Sequence, residues 1–94
     1  MMLAVWKYPL PFPTYDEFNL TMQKGAKVLT VQAQGDQPCI WALIDASAPT
    51  EVRRFRVAGT GHWLEQERAC LDYVGTFQLN DGQLVFHLFE IPLA

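Results

Sequence analysis

The sequence predicts an all-β domain: a small antiparallel sandwich or barrel of about seven strands, with at most one short helical turn. Three observations predict it. Apolar residues alternate with polar ones in short runs and do not recur at helical spacing. The runs are separated by proline and glycine punctuation, as in Gln34-Gly35-Asp36-Gln37 and Asn80-Asp81-Gly82. The 94 residues are 50% apolar and only 18% charged, which supports one core and rules out intrinsic disorder. A single domain over residues 1–94 follows, since a chain this short builds only one core.

Leu3 to Tyr8 reads as the first strand, with Val5 on one face and Ala4, Trp6 and Tyr8 on the other. Pro9, Pro11 and Pro13 then forbid a helix and a central strand, leaving an extended connector anchored by Leu10 and Phe12. Phe18, Leu20 and Met22 alternate with Asn19 and Thr21, as a half-buried strand does. Gln23 to Ala26 is a turn, and Val28 to Gln34 is the next strand.

Pro38 is expected to close the Gln34–Gln37 hairpin loop, with Cys39 to Ala46 following as a strand. Ile40, Ala42 and Ile44 share one of its faces; Cys39, Trp41 and Leu43 share the other. A strand apolar on both faces is expected to be covered on both sides. After the loop Asp45 to Thr50, Glu51 to Ala58 is a strand with Phe55 and Val57 inward and Arg54 and Arg56 outward.

Trp63 to Leu71 holds the one stretch able to form a helical turn. Asp72 to Leu79 is a strand with Tyr73, Phe77 and Leu79 on one face and Val74, Thr76 and Gln78 on the other. Asp81-Gly82 supplies positive φ cheaply between two apolar runs and is the strongest turn signal. Gln83 to Ile91 is the last strand, apolar on both faces. Leu84, Phe86 and Leu88 lie on one, and Val85, His87, Phe89 and Ile91 on the other.

The second apolar face of the two two-sided strands needs a cover. It is either internal, from the proline connector or the Trp63 segment, or external, from another copy or a partner protein. Trp63, His87 and Phe89 are the candidate interface residues.

Ten acidic residues against seven basic ones give a net charge of −3, which disfavours general binding to nucleic acid. No apolar run reaches the ~20 residues of a membrane span, so no membrane association is expected. Residues 1–7 lack the basic and apolar regions of a signal peptide, which gives a cytoplasmic expectation. Cys39 and Cys70 form no paired motif and read as reduced thiols.

Three clusters could carry chemistry. Gly59-Thr60-Gly61-His62 could hold a small ligand on exposed N–H groups with His62 titrating, although a strand end needing two glycines explains it more simply. Arg53, Arg54 and Arg56 could contact an anion or an acidic partner; the bland alternative is the solvated face of an edge strand. Cys39, Cys70, His62 and His87 are spaced unlike any zinc motif, and no nucleophile–base pattern is present. Neither metal nor cofactor is therefore expected, and the chain is not expected to be an enzyme. Glu90, a carboxylate inside the last strand, could pair with one of the arginines across a sheet.

Several segments occur together in a familiar order. They are Trp6-Lys7-Tyr8 before prolines, Met22 with Lys24-Gly25-Ala26, and Gln37-Pro38-Cys39-Ile40-Trp41-Ala42-Leu43. Phe55-Arg56-Val57-Ala58-Gly59-Thr60-Gly61-His62, Tyr73-Val74-Gly75-Thr76-Phe77-Gln78 and Val85-Phe86-His87-Leu88-Phe89-Glu90 follow. The order resembles a family of small phage, prophage and bacterial proteins, a domain of unknown function. The resemblance spans nearly the whole chain and transfers no site residue. It implies a phage-type accessory protein in the host cytoplasm, or a minor virion component. The expected function is a non-enzymatic protein-interaction domain, homo-oligomeric or bound to a host protein. A ligand-binding module at Gly59–His62 is the alternative from a different class.

Overall fold

The computed structural model describes residues 1–11 and 16–92. Two antiparallel sheets contain seven strands: β1 (Leu3–Pro9), β2 (Glu17–Gln23), β3 (Lys27–Gln34), β4 (Gln37–Asp45), β5 (Thr50–Gly59), β6 (Asp72–Leu79) and β7 (Leu84–Ile91). Sheet order is β1-β4-β3 in the first sheet and β2-β5-β7-β6 in the second. The expected helical turn is a single 3-10 turn at Arg68–Cys70. Phe12 and Pro13, expected in the connector, lie outside the described residues.

The core lies between the sheets. The first contributes Val31, Ile40, Ala42 and Ile44; the second contributes Phe18, Met22, Phe55, Val57, Phe77, Leu79 and Leu88. Phe18 stacks on Phe55 and Phe77 on Phe86, with ring centroids 5.6 and 5.7 Å apart. Leu10, just past β1, is buried as the sequence implies.

Pro38 does not close the hairpin loop; it lies inside β4, the central strand of its sheet. A proline there lacks the N–H that would bond the carbonyl of Leu10. The Gln37 side chain supplies the missing donor: Nε2 donates to the Leu10 carbonyl at 3.0 Å, while Leu10 N–H donates to the Pro38 carbonyl at 3.0 Å. The ladder stays satisfied, so the proline is tolerated.

Tyr73 does not share a face with Phe77. The pairing of β6 with β7 shifts between Tyr73↔Phe89 and Gly75↔Leu88, leaving Val74 as an extra residue. That bulge turns Tyr73 to the outer face, where its hydroxyl meets Thr76 Oγ1 at 2.6 Å. Val74 instead packs against the core. Within β6, strict alternation fails at this residue.

The β3 and β6 edges lie side by side where the two sheets meet. Gly75 makes this possible: a Cβ at Gly75 would come 2.9 Å from Val31 Cγ1. On the opposite side β1 and β2 are the remaining edges, tied by Tyr8, whose hydroxyl donates to Gln23 Oε1 at 3.3 Å. Burial pushes the Tyr8 phenol above its ordinary pKa.

Candidate functional site

Three surfaces hold the residues singled out by the sequence. The first is the arginine cluster. Arg54 and Arg56 share the outer face of β5, but each has an acidic neighbour. Arg54 pairs with Glu17, and Arg56 Nη1 lies 3.5 Å from Asp16. Arg53 points the other way, toward the core. It forms a two-pronged bond to Glu90 (Nη2 to Oε1, 2.9 Å), and its Nη1 donates to the Ala26 carbonyl at 2.8 Å. The Glu90 carboxylate raises the Arg53 pKa further. The arrangement therefore turns Arg53 to the core-facing side of β5 and Arg54 and Arg56 to the outer face, each beside a carboxylate.

The second surface is the end of the β2-β5-β7-β6 sheet around Gly59–His62. His62 N–H donates to the Gly59 carbonyl at 3.1 Å, closing a turn in which Gly61 has φ +87°. The His62 ring lies on Gly59: a Cβ there would approach ring Cε1 to 2.8 Å. Each glycine thus has a geometric task. A shallow pocket of about 380 Å³ borders this turn, lined by Gly59, Thr60, His62, Leu84 and Phe86 among others.

His87 sits beside it with both ring nitrogens engaged. Nε2 is 2.8 Å from Thr60 Oγ1 and Nδ1 is 3.0 Å from Thr76 Oγ1. Hydroxyls both donate and accept, so this holder satisfies any tautomer of the ring. Tyr73 extends the chain through Thr76 and packs its ring edge-on to Phe89, centroids 5.7 Å apart. The Trp63–Leu71 segment crosses this face, bonding through Trp63 O to Arg56 Nη2 (3.4 Å) and through Gln66 Nε2 to Glu17 Oε2 (3.1 Å). It is thus an internal cover for part of the outer face, with Trp63 itself 92% exposed.

The structure brings Thr60, His62 and His87 to one end of this sheet and leaves Cys39 on the other sheet. Cys39 is buried and Cys70 exposed, both as free thiols. Among the described residues, no three His, Cys, Asp or Glu side chains gather as metal ligands would.

The third surface is one that the sequence only partly marks: the outer face and free edge of the β1-β4-β3 sheet. Of the second apolar face expected on β4, only Cys39 is fully buried; Trp41 and Leu43 are partly buried. The Lys7 side chain crosses β4 to Gln34, with Nζ donating to Oε1 at 2.8 Å. Val5 lies opposite Leu43, and Leu3 continues the same face along β1. Leu29, the extra residue of a bulge in β3, is exposed opposite Trp41. Leu3 and Val5 are 60% and 54% exposed, so they form a continuous apolar strip with Leu43 and Trp41.

The chain belongs to a family described as a domain of unknown function (DUF7352), whose model matches residues 1–93. No curated protein and no solved structure matches it. No helix among the described residues is long and apolar enough to cross a membrane.

Proposed function

We propose that the chain is a non-enzymatic protein-interaction domain that binds through β1 and the outer face of the β1-β4-β3 sheet. The observation that carries this reading is the apolar strip Leu3, Val5, Trp41 and Leu43 beside a strand edge that is unpaired among the described residues. An apolar strip alone would accept many surfaces. An open edge adds backbone N–H and C=O groups that another extended polypeptide satisfies best. The occupant is therefore a polypeptide strand whose side chains are apolar on one face.

The resemblance carried by Gly59–His62 and Val85–Phe89 supports a phage- or prophage-type accessory role in a bacterial cytoplasm. The acidic net charge and the acid-paired Arg54 and Arg56 support a protein partner over nucleic acid.

A photoreactive residue placed at Leu43 tests the reading, with Thr21 on β2 as the control position. Polypeptide adducts at Leu43 that exceed those at Thr21 are expected in cells. Equal, background-level adducts at both would end it.

A further inference from the structure

The four sheet edges differ in a way that selects one of them. The β3 and β6 edges shield each other along the Gly75–Val31 contact. The β2 edge is polar: Val57 N–H donates to the Asp16 carbonyl at 2.7 Å, on the register that pairs Glu17 with Arg56. Even-numbered residues of β2 therefore bond inward to β5. Glu17, Asn19, Thr21 and Gln23 turn their backbone groups outward, with polar side chains beside them.

The same parity can be read for β1. Ala46 N–H donates to the Met2 carbonyl (2.8 Å) and Leu10 N–H to the Pro38 carbonyl (3.0 Å). Both lie on the register that pairs Leu3 with Asp45. Hydrogen-bonded pairs alternate in an antiparallel ladder, so Ala4, Trp6 and Tyr8 bond to β4. Leu3, Val5 and Lys7 therefore point their N–H and C=O groups away from the sheet. Pro9 offers a carbonyl and no N–H.

The geometry points to a second copy of this chain as the occupant, paired antiparallel along β1 about a two-fold axis at Val5. This rests on the reading of the β1 surface as an interaction surface and names its partner. In that register Val5 pairs with Val5 and Leu3 with Lys7 of the other copy. Every outward N–H of Leu3, Val5 and Lys7 then meets an outward carbonyl that belongs to a residue of the same three.

A shift of the axis toward Pro9 places a residue without N–H inside the ladder. It also brings the two Lys7 ammonium groups together, and like charges across a sheet are unfavourable. Centring on Val5 keeps them about 14 Å apart, beyond the ~8 Å screening length of physiological salt. The Val5–Leu43 rows of both copies then join into one apolar stripe across a sheet of order β3-β4-β1-β1-β4-β3. A two-fold contact of this kind is closed and self-limiting.

The parity supplies an unusually specific test. Val5→Pro removes an N–H that faces away from the sheet, so the fold tolerates it while the pairing loses its centre. Ala4→Pro removes an N–H bonded to β4 and should disrupt β1 itself. Sedimentation of the purified chain is expected to show mass rising from one chain to two with concentration. Val5→Pro is expected to stay at one chain with an unchanged far-ultraviolet spectrum. Should Val5→Pro fail to fold, Val5→Lys serves the same purpose through the side chain.

A Val5→Cys variant in a Cys70→Ser background should oxidise to a disulfide-linked pair, since hydrogen-bonded residues sit about 5.5 Å apart at Cα. Thr21→Cys in that background should not. A wild-type chain that stays single at all concentrations, or a Val5→Lys variant that still pairs, overturns the proposal. If the chain stays single but Leu43 still captures another polypeptide in cells, self-pairing fails and the interaction reading stands. If Leu43 captures nothing either, both fail.

Discussion

The side-chain amide of Gln37 occupies the place of the N–H that Pro38 lacks, donating to the Leu10 carbonyl at 3.0 Å. This pairing lets a proline sit in a central strand, and it predicts a coupled pair of substitutions. Gln37→Ala leaves the Leu10 carbonyl without that donor and should cost about 1–2 kcal/mol. Adding Pro38→Ala restores a backbone donor and should recover part of the loss. Urea unfolding of both variants checks the non-additivity.

Arg53 and Glu90 form the ion pair that faces the core, each side chain under a fifth exposed. Arg53→Met alone strands the partly buried Glu90 carboxylate, and Glu90→Gln alone leaves Arg53 only the longer carboxylate contact, with Glu51 at 3.9 Å; each should cost about 2–3 kcal/mol. The double change Arg53→Met with Glu90→Leu should cost less than either alone, which denaturant midpoints would show.

Gly75 and Gly59 answer differently to alanine. At Gly75 the new methyl meets the stiff, buried Val31 at 2.9 Å, so the β3–β6 contact must open. A loss of about 1–3 kcal/mol is expected. At Gly59 it meets the exposed His62 ring, which can swing away. A loss below about 1 kcal/mol is expected there, with a shifted His62 ring resonance in the NMR spectrum.

Asp45 holds the start of β1. Its carboxylate accepts from the Ser47 hydroxyl at 2.6 Å and from the Met2 and Ser47 N–H groups at 3.0 Å each. The Ser47 hydroxyl first, then these backbone donors, hold its pKa at about 2, against 3.8 ordinarily. The folded value is the lower one, so this stabilisation is fully present above pH ~4 and is lost as pH falls toward 2. Exchange of the β1 amides should quicken across that window in the wild type, after correction for intrinsic rates. Asp45→Asn should exchange faster at pH 5 and lose the step.

The strand boundaries were largely legible because alternation and turn residues are local signals. The β7 faces and the inward Phe55 and Val57 follow from period two alone. Tyr73 was misplaced because a bulge at Val74 depends on its partner strand. Pro38 was misplaced because its rescue by Gln37 involves Leu10, distant in sequence. The arginine cluster was visible, but the pairing of the core-facing Arg53 with Glu90, and of Arg54 and Arg56 with Glu17 and Asp16 on the outer face, was not. The β1 edge was invisible for a stronger reason: strand order decides which strand is an edge. Val5 reads as one more alternating residue until β4 is found on only one side of β1.

Amide hydrogen exchange along β1 is the sharpest test of pairing at this edge. Ala4, Trp6 and Tyr8 are expected to be protected at every concentration. Leu3, Val5 and Lys7 should exchange freely in dilute protein and gain protection as concentration rises. Protection of all six amides independent of concentration would mean that this edge is covered within a single chain. Free exchange of Leu3, Val5 and Lys7 at every concentration would mean that a second copy does not pair there.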